Sequence, residues 1–364
     1  LRSTVDDSEP ATFDFYIGPS GSDSNDGLTT GTPWALTALN DSAKRALYRG
    51  KRVGFLDGTY DVSGVTTKTG GQSSLFEAQG GTDVNNPTVL EAVNHRQWVI
   101  QANNGASYPH IDCPILGDFE SAFGYLHIIG LKLTGGGCKG LFLGKITTPR
   151  APGYLVTDCE FTGFDCRGVP GGGNYSCVEL HHITQHTVRD NYLHDNIGHT
   201  LNSSDHWAGI QNFNVTDGLY EFNTLTQSGG IYGKNDGIHG NTLRYNYIDV
   251  GTMGPSSFGG LQDWAGSSET GNTTYIHNNI CLGAYLNDFR KSDGGGGWYS
   301  NLEMYNNLFS AISSSGSSYG LMMRAGAGKV KIFNNIIMEA GTGDHCYVAL
   351  NVDAPGVLDY NLYY

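Results

Sequence analysis

Val188-Arg-Asp-Asn191-Tyr-Leu193 comes back as Tyr220-Glu-Phe-Asn223-Thr-Leu225, as Leu243-Arg-Tyr-Asn246-Tyr-Ile248 and as Ile276-His-Asn-Asn279-Ile-Cys281. Each copy holds an apolar residue, two variable ones, Asn, another variable residue and a second apolar one. Further copies centre on Asn307, Asn335 and Asn361, and looser ones run over 156–161, with Cys159 in the Asn place, and over 128–133. Successive Asn positions lie 32, 23, 33, 28, 28 and 26 residues apart. A unit of this length at uneven spacing reads as one turn of a solenoid with loops of different length, because a single turn can bury its apolar face only against its neighbours. The alternation has period two, which selects strand over helix. Strands of successive turns then stack about 4.8 Å apart, and Asn lies over Asn, so that the amides hydrogen-bond in a file at a bend. A propeller or a helical solenoid would keep a steadier repeat length. The predicted fold is therefore all-β, a right-handed parallel β-helix of about ten coils.

A second strand recurs in the same turns, as in Cys177-Val-Glu-Leu-His-His182, Gly209-Ile-Gln-Asn-Phe-Asn214, Gly230-Ile-Tyr-Gly-Lys-Asn235, Gly260-Leu-Gln-Asp-Trp-Ala265 and Tyr285-Leu-Asn-Asp-Phe-Arg290. The apolar second residue points inward and the third outward. Before these coils, Thr32-Pro-Trp34 opens an amphipathic stretch to Tyr48, with Trp34, Leu36, Leu39, Ala43, Ala46 and Leu47 on its apolar side. We expect a capping helix there, since the first coil of a solenoid presents an open edge. Residues 1–12 read as a flexible leader and 13–364 as one β-helix domain whose N-terminal cap covers about 13–60.

Glycine contributes 53 of 364 residues and charged residues only 15%, a balance that favours short strands and turns. The net charge of −14 leaves no basic stripe for nucleic acid, and counts against a polyanionic partner unless a local cationic site overrides it. No apolar run is long enough to span a membrane. The chain begins at Leu1 without methionine, as expected once an export signal is removed, so a secreted protein is the expectation. Seven cysteines show no zinc spacing; Cys159, Cys166 or Cys177 forms a local disulfide or is a small buried apolar residue.

The opening Tyr16 through Trp34, then Gly54-Phe-Leu-Asp-Gly-Thr-Tyr60, then Tyr125-Leu-His-Ile-Ile-Gly-Leu-Lys-Leu-Thr-Gly-Gly136 and Gly230-Ile-Tyr-Gly-Lys-Asn-Asp236, resembles secreted proteins of the pectate-lyase-like superfamily over most of the chain. That resemblance implies polysaccharide lyases or β-helical glycoside hydrolases. It is specific for fold and leaves the chemistry to individual residues.

The outward residues form a stripe: Glu179 and His181, Gln211 and Phe213, Tyr232 and Lys234, Gln262 and Trp264, Asn287 and Phe289. Aromatic faces stack on sugars and amides bind hydroxyls, so Glu179, Gln211, Phe213, Tyr232, Gln262, Trp264 and Asn287 are candidate substrate contacts. The alternative is aromatics packed beneath long loops. Lys234 is the candidate base. In lyases of the resembling superfamily a Lys, Arg or His takes the C5 proton of a uronic acid while a cation neutralises its carboxylate; here Arg290, two coils on, is the available cation. Asp263 and Asp288 align in consecutive coils, about 5 Å apart if both face the groove, a spacing that suits a retaining glycosidase pair. With Asp205 the same pair could bind Ca²⁺, the one cofactor considered. Among the many histidines, His181, His206 and His239 are candidates for proton transfer. Three functions follow: a lyase acting on a uronate polymer, a hydrolase using the Asp pair, and a glycan-binding or adhesin solenoid without turnover. Polysaccharide is the expected partner in each.

Overall fold

The computed structural model describes residues 12–62, 74–101, 113–117, 124–135, 139–144, 151–164, 174–196, 206–234, 240–251, 260–265, 273–284, 286–291, 301–311, 319–324, 329–339, 348–350 and 357–363. Their strands form three long sheets in which every strand pairing is parallel. The first has twelve strands, from Phe15–Ile17 to Val357–Asp359. The second has eleven, from Gly58–Asp61 to Leu362–Tyr363, and the third ten, from Ser74–Ala78 to Val348–Leu350. One coil shows the path: Thr187–Arg189 lies in the first sheet, Tyr192–His194 in the second, His206–Phe213 in the third, and Leu219–Glu221 returns to the first. The chain is a parallel β-helix, as its repeats predict.

The corner between the first and second sheets is where the repeated Asn acts. Asn191 Nδ2 donates to Asn223 Oδ1 at 2.9 Å, Asn223 to Asn246 at 2.9 Å and Asn246 to Asn279 at 2.9 Å. The file goes on through Asn307, Asn335 and Asn361 at 3.0, 2.9 and 3.0 Å. Each Nδ2 also donates to a carbonyl of the preceding coil, as Asn279 does to Leu243 O at 2.9 Å. Each Oδ1 accepts the backbone N–H of the Asn before it, as Asn307 does from Asn279 at 3.0 Å. From Asn191 to Asn335 these amides are buried, and their hydrogen bonds remove the penalty that would otherwise attach to them. The residue before each Asn is left-handed: φ is 55° at Phe222, 56° at Tyr245 and 51° at Tyr360. That conformation costs roughly 1–2 kcal/mol for a residue with a Cβ, so the corner is held by the bonds around it. Cys159, in the Asn place of an earlier coil, passes its backbone N–H to Asn191 Oδ1 at 3.0 Å.

Inside the coil, Val156, Val188, Tyr220, Leu243, Ile276, Met304 and Ile332 from the first sheet meet Phe161, Leu193, Leu225, Ile248, Cys281, Phe309 and Ile337 from the second, all buried. Each such side chain contributes about 1.5–3 kcal/mol by leaving water. Outside the same corner, rings stack from coil to coil: Phe222 on Tyr245 at 5.2 Å, His277 on Tyr305 at 4.8 Å and Tyr305 on Phe333 at 5.1 Å.

The N-terminal cap is a 3₁₀ turn, Leu36–Asn40, followed by a short α-helix, Ser42–Tyr48, whose first N–H groups are capped by Asp41. Trp34 lies under it, stacked on Phe15 at 4.6 Å. The apolar side of the helix differs from expectation. Ala43, Ala46 and Leu47 face solvent, and Lys44 and Tyr48 are the buried side. The helix is only two turns long, so its inward face is set by Tyr48 and by Lys44, whose Nζ reaches Asp23 Oδ1 at 3.1 Å. Cys159, Cys177 and Cys281 are buried free thiols, which removes the local disulfide for Cys159 and Cys177; Cys166 lies outside the described residues. The expected leader over residues 1–12 also lies outside them except for Thr12. Among the described residues no helix is long and apolar enough to cross a membrane.

If the Asn file carries the corner, its middle matters more than its end. Asn279→Ala should lower unfolding stability by about 2–3 kcal/mol. Asn361→Ala should cost less, since among the described residues Asn361 has a file neighbour on one side only. Denaturant unfolding of the two variants checks the order.

Candidate active face

The third sheet places the recurring second strand as predicted over four coils. Val178, Ile210, Ile231 and Leu261 share one register row, and Glu179, Gln211, Tyr232 and Gln262 share the next. Two positions further on, Gly144, His181, Phe213, Lys234 and Trp264 form another row.

At the next coil the register is one residue off the expected alignment. Gln262 pairs with Asp288, Asp263 with Phe289 and Trp264 with Arg290. Asp263 and Asp288 therefore occupy different rows, and the matched carboxylate pair is not formed. Alternation gives the reason. The expected register put Asp288 beside Asp263 in the row of Leu143 and Leu180, which face the core, whereas the observed one gives that place to Phe289. Asn287 likewise leaves the row of Gln262. An irregularity between Leu286 and Asp288 in the pairing with Tyr319–Arg324 marks the same place. The row through Trp264 thus continues with Arg290 and Arg324. The strands carrying Lys234, Asp263, Trp264, Asn287, Asp288 and Arg290 are placed, but these side chains, like that of His206, lie outside the described residues, as do Asp205 and His239 entirely.

The outward groups were expected to line an open groove. Glu179, Gln211, Phe213, Tyr232 and Gln262 are instead buried, which favours the alternative of a covered face. The chemistry on it is nonetheless polar. Glu179, 1% exposed, holds two partners: Lys139 Nζ lies 2.9 Å from its Oε2, and His181 Nε2 lies 2.6 Å from its Oε1. Burial pushes the Glu179 carboxyl up, but the Lys139 ammonium and the His181 hydrogen bond outweigh it and hold the group below the usual carboxylate range. The His181 ring sits between Phe142 and Phe213, at centroid distances of 4.7 and 4.3 Å. Its side chain is 14% exposed, and Nδ1 has no hydrogen-bond partner among the described residues. In the next coil, both polar atoms of the Gln211 side chain are buried without a partner among the described residues.

Two members of this cluster are absent from the sequence reading. Phe142 shares the row of Glu179, and Lys139 begins the same strand, Lys139–Gly144. The strand signal was visible in Gly140-Leu-Phe-Leu-Gly-Lys145, so Phe142 could have been read from it, whereas Lys139 stands just before the alternating stretch. As for Ca²⁺, no three His, Cys, Asp or Glu side chains converge among the described residues, and the expected ligands, Asp205 and the side chains of Asp263 and Asp288, lie outside them.

No family model and no curated protein matches the sequence. Solved structures do. The chain is similar to pectate lyase Pel9A over 94% of its length and 78% of that chain, with a TM-score of 0.54 at 16% identity. It has the pectate-lyase-like parallel β-helix fold. A rhamnogalacturonan lyase matches over 93% of this chain and 84% of its own, with a TM-score of 0.50 at 12% identity. XylC, solved in complex with xylose, matches over 91% and 69%, also at 0.50, with 10% identity. In this β-helix the third sheet carries a cluster that joins a buried carboxylate, two cationic or ionisable partners and flanking aromatic rings.

The depressed Glu179 value sets a pH dependence. Glu179→Gln should destabilise the β-helix by on the order of 3 kcal/mol near neutrality, because the buried ion pair with Lys139 is broken. The folded value lies below the ordinary 4.5, so the wild-type advantage is present above that value and lost as pH falls through the lower folded one. Denaturation midpoints of both proteins across acidic and neutral pH check the sign.

Proposed function

We propose that this chain is a secreted polysaccharide lyase that cleaves a uronate-containing polymer by β-elimination. The observation that carries the reading is the row in which Phe213, Lys234, Trp264, Arg290 and Arg324 occupy successive coils. Elimination needs a base for the C5 proton and a cation that neutralises the neighbouring carboxylate, so that negative charge can develop at C5. Lys234 takes the first role. Arg290, about 10 Å away at the backbone from two strand spacings, takes the second, with Arg324 beyond it. Three cationic residues in one row also supply the local field that a chain of net charge −14 needs in order to hold a polyanion. Trp264, between Lys234 and Arg290 in that row, serves as a sugar contact. Two of the similar structures are named as lyases, of pectate and of rhamnogalacturonan, which supports the same class. A polymer too large to enter a cell supports secretion. The shifted register takes away the geometric support for hydrolysis by Asp263 and Asp288.

The test is purified protein on pectate, alginate, glycosaminoglycans and neutral glycans, with ultraviolet and reducing-end readouts. A product with both signals on a uronate polymer is expected, and Lys234→Ala should lower kcat by about 10³-fold with KM little changed. Reducing ends without ultraviolet absorbance would make the protein a hydrolase, and binding without product a glycan-binding solenoid. Elimination undiminished in Lys234→Ala would remove the base assigned here.

A further inference from the structure

Resting on the lyase reading, we infer that His181 is the second proton-transfer group of this face, the acid for the leaving oxygen, with Glu179 and Lys139 as its positioning residues. His181 shares the row of Lys234 and is separated from it by one residue, Phe213, so the two positions lie about 10 Å apart at the backbone and flank an aromatic floor.

The cluster fixes which nitrogen exchanges the proton. Glu179 Oε1 accepts the His181 Nε2 proton at 2.6 Å, and Lys139 at 2.9 Å from the other oxygen keeps the carboxylate ionised. The Nε2 proton therefore stays with Glu179 in either charge state of the ring, and the proton that comes and goes is the one on Nδ1. The rings of Phe142 and Phe213 on either side hold the imidazole plane. Nδ1 has no partner among the described residues, and the side chain keeps its 14% exposure while Glu179 beneath it is sealed. A general acid or base set in place by a carboxylate on its far nitrogen is a recurrent catalytic device. A buried ion pair is weak evidence for stability, which leaves the orientation of His181 as the better reason for this one.

The step balances. Lys234 Nζ, unprotonated, takes the C5 proton. The C5 electron pair forms the C4–C5 double bond, the C4–O4 bond breaks, and O4 takes the Nδ1 proton of His181. His181 is left neutral and Lys234 protonated, and exchange with solvent resets both. Among the described residues, the charged or titratable groups facing His181 are Glu179 and Lys139, with the His182 ring at 6.5 Å; the strand position of Lys234 is two coils along the row.

The experiment measures kcat and KM against pH on the polymer that the unmodified protein cleaves. It compares the unmodified protein with His181→Gln, Glu179→Gln and the neighbouring His182→Gln, each checked for fold by circular dichroism. The base must be unprotonated and the acid protonated to act, so wild-type kcat should pass through a maximum with pH, with His181 setting the alkaline limb. His181→Gln should lose about 100-fold in kcat with KM nearly unchanged, lose that alkaline limb, and recover part of the rate with added imidazole. Glu179→Gln should lose less and keep the limb displaced, and His182→Gln should behave as wild type. Wild-type kcat with both limbs intact in His181→Gln would overturn this role alone. Absence of elimination by the unmodified protein on every uronate polymer would overturn the lyase reading and this role together.

Discussion

Stacked parallel strands leave no freedom in which face a side chain takes: a slip of one residue exchanges every inward group for an outward one. The strand Leu286–Lys291 shows how strongly this acts. Pairing it by its leading leucine would set Asp288 next to Asp263 in the core-facing row, whereas the pairing adopted gives that place to Phe289. Avoiding a second carboxylate there also decides where Arg290 stands. The candidate chemistry of the face follows from that decision, since it turns two separate cations and a tryptophan into members of one line. The Asn file at the opposite corner serves the same constraint, because a run of amides bonded from Asn191 to Asn361 holds the pitch of the coils between them.

The face itself combines two demands that usually conflict. A carboxylate as deeply enclosed as Glu179 survives ionised only through close cations, and those cations must themselves be anchored. Lys139 comes from the preceding coil and His181 from the same strand. The solenoid thus makes a charge arrangement across its coils that neither strand could hold alone. The amide of Gln211 in the coil above adds hydrogen-bonding capacity with no partner among the described residues.

How much of this could be read in the chain depends on the range of the interaction. The Asn repeat is local and periodic, so the coil, its corner and the register of four successive strands of the third sheet were legible. The register at Asp288 was not, because Tyr285-Leu-Asn-Asp-Phe-Arg290 offers two apolar anchors, Leu286 and Phe289, and only the neighbouring strands choose between them. The covering of Glu179, Gln211 and Tyr232 was not legible either, since alternation tells which side a residue takes and says nothing about what lies over it. Lys139 escaped for the related reason that its partner is a coil away. The helical side of the cap misled in a different way: over two turns, a few alanines carry too little apolar area to outweigh Tyr48.

The uneven distances between the Asn residues have a bearing on ancestry. Intervals of 23 and 33 residues stand side by side in one unbroken file, so length is absorbed wholly in the connections, and the corner is indifferent to it. Insertions and deletions in those connections become nearly neutral for the scaffold while they remodel whatever the third sheet faces. A lineage built this way can diversify its specificity quickly while its skeleton stays the same, and chains with that history come to share architecture long after their letters have diverged.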